Sequence, residues 1–224
     1  MVKIDGVTVP DSKMASEATE LVRDTASSLL FNHSSRVFCF AALTGKRRGL
    51  SFDAELLYVG SMFHDMGLTA RHSSRTDRFE VDGANAARDF LRQHRIDQRD
   101  IDTVWAAVAL HTTPGIPQYM HPLIALVNAG VLTDVVGIEY EQFTEAQRKA
   151  VVEAYPRGPD FEEEIIQTFY DWNKHKPETT YGTINADVLA DKDPSFRRID
   201  LCSRIRNSRW RAEQQNIPKP ETKR

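Results

Sequence analysis

Apolar residues return along this chain at steps of three and four, not two, which predicts helices almost throughout. Ala15, Ala18, Val22, Thr25 and Leu29 share one face of a first helix, capped by Asp11 or Ser12 and running to about Leu30. Asn32 is the cap expected for the next, in which His33, Val37, Phe40 and Ala41 line one face, with His33 turned inward at its first turn. Ser51 or Asp53 opens a third, with Leu56, Val59, Gly60 and Phe63 on its apolar side and Gly67 as its stop. A helix over 79–94 buries Phe79, Ala86 or Ala87, Phe90 and Leu91, and one opened by Asp97 or Asp100 carries Ile101, Val104, Trp105, Val108 and His111. Two prolines and a glycine between 112 and 117 break the pattern. It resumes at about His121-Pro122 with Ile124, Val127, Val131 and Asp134 on one face.

Later segments are shorter. Thr144 to Gln147 reads as a capping box, and Asp160 opens a helix with Phe161, Ile165, Phe169 and Trp172 inside. After a loop from Pro177 to Gly182 come two pieces near Ala186–Leu189 and 197–205, then a polar tail from Arg211 that is expected to fray. There is no repeat, no low-complexity tract and no convincing run of strands. The expected fold is all-α, and the length of 224 residues suits one domain over 1–224, with its core at about 15–155 and residues 156–224 packed on it.

Composition is that of an ordinary soluble protein, 41% hydrophobic and 27% charged. No apolar run approaches the length of a membrane span and the first residues lack a signal-peptide core, so the expected setting is cytoplasmic, with no membrane partner. Cys39 and Cys202 lie far apart and suggest neither a disulfide framework nor a cysteine metal site. The net charge of −3 divides unevenly, with +6 over residues 195–224 and −9 over the rest. A basic tail on an acidic body points to packing on that body or on another subunit. Nucleic acid is not the expected partner, because the interleaved aromatic residues of a binding platform are absent.

Candidate chemistry lies in polar residues set on or beside apolar faces: His33, the adjacent His64 and Asp65, His111 and Asp134. Each stands at or near the end of a different predicted helix. Buried imidazoles and carboxylates are costly unless partnered, and a divalent metal is one such partner. Asp134 leaves two readings open, a metal ligand or a buried pair with an arginine such as Arg36. Arg71, Arg75 and Arg78, in the polar loop before Phe79, are the local reason to consider an anionic substrate.

The stretches Asn32-His33-Ser34-Ser35-Arg36-Val37, Phe63-His64-Asp65-Met66-Gly67, Ala109-Leu110-His111 and Leu132-Thr133-Asp134 resemble the HD superfamily of metal-dependent hydrolases and lyases. His33 to Phe38, Phe79-Glu80 followed by Gly83, and Thr133-Asp134 followed by Val136-Gly137 are most similar to its cyanamide hydratase type. The resemblance implies an HD-type helical bundle around one divalent metal held by His33, His64, Asp65 and Asp134. Phe79-Glu80 stands where dinuclear members carry an extra histidine, and whether His121 takes up that part stays open. Two imidazoles and two carboxylates suit zinc first, with iron, manganese or nickel as alternatives.

Such an ion lowers the pKa of a bound water to about 7 and so presents hydroxide at neutral pH. His111 is the expected catalytic residue, orienting substrate or passing a proton, and Glu80 is a second candidate. By resemblance the hydroxide adds to a nitrile-type carbon of a small molecule. The alternatives are a phosphohydrolase in which the loop arginines hold the anion, and a non-catalytic metal-binding HD domain. A homo-oligomer is expected from the resemblance and from the charge asymmetry.

Overall fold

The computed structural model describes residues 3–209. Lys3–Ile4 (β1) and Val7–Thr8 (β2) pair antiparallel around Asp5-Gly6, turning Ile4 and Val7 into the core. Ten α-helices follow among the described residues: α1 Lys13–Thr25, α2 Ser28–Arg47, α3 Ala54–Phe63, α4 Phe79–Gln93, α5 Gln98–Ala109, α6 Pro122–Val136, α7 Glu145–Ala154, α8 Phe161–Asn173, α9 Asn185–Lys192 and α10 Leu201–Arg206. The all-α class is what the three- and four-residue periodicity predicts. None of these helices is long and apolar enough to cross a membrane. The tail expected to fray from Arg211 lies outside the described residues.

Helix boundaries follow their caps. Ser12 caps α1 by accepting from the Ala15 N–H, and Asp53 caps α3 by accepting from Glu55 and Leu56. The first helix stops at Thr25 rather than about Leu30, because Ala26 is extended and Ser27 caps a new helix through the Leu30 N–H. Consequently α2 starts at Ser28, Asn32 is interior, and His33 lies in the second turn instead of the first. Thr144 and Gln147 form the expected reciprocal capping box at α7. The last piece begins at Leu201, capped by Asp200, and not at Arg197.

Helix α2 is buried along most of its 20 residues and is packed by α3, α6 and the start of α8. Its approach to α6 depends on Gly130, where a Cβ would come within 2.4 Å of the Val37 carbonyl oxygen. A second close approach sets the site. Residues Met66–Leu68 form a 3₁₀ turn pressed on the start of α4, and a Cβ on Gly67 would lie 2.0 Å from the Phe79 carbonyl oxygen. Beyond the main core, Leu30, Leu68, Phe79, Phe161 and Ile165 form a smaller apolar cluster with half-buried Phe169 and Trp172 against it. That cluster fastens α8 over the turn that carries Asp65.

Candidate metal centre

Three imidazoles and one carboxylate meet where α2, the end of α3 and the turn after α5 converge. His33 comes from α2, His64 is the C-cap residue immediately after α3, and Asp65 opens the 3₁₀ turn held by Gly67. His111 lies in the turn two residues past α5, not on the helix, and faces the same point. All four side chains are buried.

Each ring has one nitrogen committed. His64 Nδ1 is 2.6 Å from the Ser61 carbonyl oxygen and His111 Nδ1 is 2.6 Å from that of Val108. A carbonyl only accepts, so each Nδ1 carries the hydrogen. His33 Nδ1 donates in the same way to Asp134 Oδ2 at 2.7 Å. In the neutral rings all three Nε2 atoms therefore carry lone pairs, and they point inward. His33 Nε2 and His64 Nε2 are 3.1 Å apart, a distance at which two lone pairs repel unless a cation or proton lies between them.

Asp65 closes the cluster. Its Oδ2 lies 3.2 Å from His64 Nε2 and 3.6 Å from His33 Nε2, and its Oδ1 lies 3.5 Å from His111 Nε2. Neither oxygen has a hydrogen-bond partner of acceptable geometry, although the residue is only 3% exposed. Burial pushes its pKa up, but the surrounding imidazoles of His64, His111 and His33 hold the carboxyl well below the ordinary range. His33 is pushed down by burial against the pull of Asp134, whereas for His64 burial is overcome by the Asp65 charge and the net shift is upward.

The donor atoms of His33, His64 and Asp65 all lie within 4.8 Å of one another, so these three can hold a metal ion. Two imidazole nitrogens and a carboxylate oxygen are a fitting set for a divalent first-row metal, and an unpartnered buried carboxylate is what such an ion would satisfy.

Asp134, expected as the fourth ligand, is placed elsewhere. It sits on the Nδ1 side of the His33 ring, away from the cluster, with both oxygens occupied. Arg36 Nε donates to Oδ1 at 2.7 Å and Arg36 Nη2 to Oδ2 at 2.9 Å, the buried pair that was the other reading of this residue. Arg36 also donates to the carbonyls of Tyr155 and Pro156, and Arg157 donates to the Asp134 carbonyl. With Arg36 and His33 as donors the Asp134 carboxyl is held, against burial, at a pKa of about 2. Asp134 thus fixes the tautomer and direction of His33, as a carboxylate behind a ligating histidine does.

Glu80 is not among the residues that line the cleft beside the cluster. It is buried, and its Oε1 accepts from Thr112 Oγ1 at 2.6 Å, Arg78 Nη2 at 2.9 Å and Asn185 Nδ2 at 3.3 Å. Burial raises its pKa, but Arg78, assisted by His111 and Thr112, brings the net shift below the usual carboxylate value. Its position braces the turn that carries His111. His121 is exposed and caps α6 through the Leu123 N–H, taking no part in the site.

The cluster forms the floor of a cleft of about 740 Å³. Asn128, which the sequence reading passed over, lies beside it and donates from Nδ2 to the His111 carbonyl at 2.8 Å. It stands four residues after Ile124 and three before Val131, so a buried polar group on that apolar face was there to be read. The arginine loop does not line the cleft. Arg71 and Arg75 are exposed, Arg78 is bound to Glu80, and buried Lys176 pins the loop through Asp82 and the carbonyls of Ser74 and Asp77.

No curated protein matches the chain at a significant level. The HD domain family matches residues 30–167, well over half of the chain and the whole of the stretch that brings these side chains together, and it is to this family that the chain belongs.

Proposed function

We propose that this protein is a metal-dependent hydratase or hydrolase of a small uncharged molecule, similar in its chemistry to the cyanamide hydratase type. Family membership by itself suggests metal-dependent hydrolysis, phosphoester hydrolysis included. The observation that carries the reading is Asp65, whose two unpartnered oxygens face three Nε2 lone pairs at the floor of an open cleft.

Charge balance favours a neutral substrate over a phosphate ester. Among the described residues, Arg48 is the one lysine or arginine lining the cleft, and it is paired with Glu139 at 2.7 Å. Asp187, also in the wall, is paired with Arg198. A phosphate monoester is instead held by guanidinium or ammonium groups free to donate to its oxygens.

His33, His64 and Asp65 would hold the metal, with zinc proposed first. The ion when bound supplies a water whose pKa is lowered to about 7. His111 does the proton work. Its Nδ1–H is fixed on Val108 and its carbonyl is held by Asn128, so Nε2 is left as an acceptor facing the cluster. That atom takes the proton released as water adds to the nitrile-type carbon and returns it to the substrate nitrogen.

The test is metal analysis of the purified protein followed by turnover of cyanamide and of p-nitrophenyl phosphate. About one equivalent of metal with urea formed from cyanamide is the expected result. Phosphate ester cleavage without cyanamide turnover rejects the neutral-substrate reading, and protein that binds no metal rejects the site.

A further inference from the structure

The family match ends at residue 167, but the cleft does not. Phe169, Ile184 and Asp187 continue its wall. The segment bearing them is built in firmly. Lys176 is 2% exposed and reaches Asp82 at 2.9 Å, and Asn185 Nδ2 bonds Glu80. The Phe169 ring packs at a tilt 5.5 Å from Phe79, which in turn lies 5.6 Å from His111. A wall anchored at three points is a fixed surface against which a ligand is selected, and fixed surfaces discriminate without an ordering cost.

Size and polarity then bear on what is selected. A cleft of about 740 Å³ is of the size that encloses ligands much larger than cyanamide. A molecule of three heavy atoms occupies on the order of 100 Å³, taking a water's share of about 30 Å³ as the scale. Around the mouth, Val136, Ile138 and Ile184 are 63%, 50% and 41% exposed, an unusual concentration of aliphatic surface on the rim of a polar centre. Among the described residues, the charged side chains beside them are paired with one another or with Arg198, which weakens their hold on an ionic group.

We propose that residues 169–187 set the choice of substrate. The preferred substrate is an uncharged nitrile-type molecule with an alkyl or aryl substituent of several carbons, laid against Phe169 and Ile184 while its reacting carbon faces the imidazoles. The proposal rests on the hydratase reading. In the reaction the oxygen of one water bonds to the nitrile carbon, both of its protons end on nitrogen, and no group leaves.

The experiment compares kcat/KM for piperidine-1-carbonitrile and cyanamide in the metal-loaded full chain and in Ile184→Gln, with metal content measured in both. Ile184 is half exposed and the substitution is expected to fold. The parent should favour the substituted substrate by about tenfold or more, and Ile184→Gln should erase most of that ratio at unchanged metal content. Calorimetric binding of piperidine-1-carboxamide against urea runs beside it, because it needs no turnover. Turnover of neither nitrile, with the larger urea still bound about tenfold tighter and that preference lost in Ile184→Gln, rejects the hydratase reading and supports the wall. Equal treatment of the large and small compounds by the parent, or a ratio unaffected by Ile184→Gln, overturns the proposal.

Discussion

Asp65 and Asp134 flank the same imidazole and are equally buried, each 3% exposed, yet they are chemically opposite. Asp134 stands on the Nδ1 side of His33, where Arg36 and the ring itself supply a donor for every oxygen. Asp65 stands on the Nε2 side with no hydrogen bond at either oxygen. A buried carboxylate whose lone pairs are all used is scaffold, because its desolvation is already offset within the protein. One whose lone pairs are unused, at the floor of a cleft, is a place prepared for something that arrives from outside. On the proposed reading, the difference between these two residues separates a carboxylate that holds the fold from one that would hold the metal.

The largest expected effects come from removing one carboxylate or the other. Asp65→Ala should abolish metal retention, while its cost to the metal-free protein comes only from the lost attraction to the imidazoles and not from any hydrogen bond, and is the smaller of the two. Asp134→Ala should do the reverse. It leaves Arg36 buried without its partner, which costs about 3–5 kcal/mol, and weakens metal binding only by about 10–100-fold through the freed His33 ring. Urea unfolding of the metal-stripped proteins and metal analysis of the loaded ones measure both. Should Asp134→Ala stay as stable as the parent and lose its metal as completely as Asp65→Ala, the two carboxylates are not the opposites described.

His111 sharpens the comparison from the Asp65 side, since it approaches Oδ1 but stands outside the three-residue donor set. His111→Gln should keep the metal and lower kcat by about 10²–10⁴, the usual worth of a positioned acid or base. Loss of metal with the activity would instead make it a ligand.

Acid titration sharpens it from the Asp134 side. The Asp134 carboxyl falls from an ordinary 3.8 to about 2 on folding, so the folded state binds its proton less readily than the unfolded chain. Its contribution is therefore fully present above about pH 4 and is lost as pH drops through 2, and it amounts to roughly 2 kcal/mol. The stability gap between metal-free parent and Asp134→Asn should narrow by about that amount between pH 5 and pH 2. A gap that stays constant over this range would mean that Arg36 and His33 do not hold the carboxylate in its charged form.

Much of this was legible in the residues. The three- and four-residue periodicity located α3 to α6, although α3 ends at Phe63 and not at the Gly67 stop, the capping box located the start of α7, and His33 and His111 continue apolar faces that turn them inward, with His64 at the end of a third. The α1–α2 break was hidden because Leu29 and Leu30 continue the apolar pattern across it, while Ser27 and Asn32 are equally acceptable caps. Periodicity also placed Asp134 on a buried face without saying which side of the His33 ring it would meet. That depends on how α6 lies across α2, which the close contact at Gly130 decides. The wall from Phe169 to Asp187 was unreadable for a related reason: its residues join the cleft only through the tertiary anchors Lys176 and Asn185.

The smallest effect expected is also the one that most directly separates the neutral-substrate reading from a phosphate-directed one. Three arginines in a loop next to a metal-binding motif invite the idea of an anion clamp, and from the sequence that idea was sound. In the fold, Arg78 is spent on Glu80, and Arg71 and Arg75 face solvent away from the cleft lining. The double variant Arg71→Ala, Arg75→Ala should therefore change stability by no more than about 0.5 kcal/mol and leave kcat/KM within about twofold. Steady-state kinetics at low and moderate salt would check it, because an anion steered by exposed arginines reacts more slowly as salt rises. A uniform, salt-independent rate in parent and variant fits a substrate without charge, whereas a loss of tenfold or more that is largest at low salt would return these arginines to the mechanism and, with them, an anionic substrate.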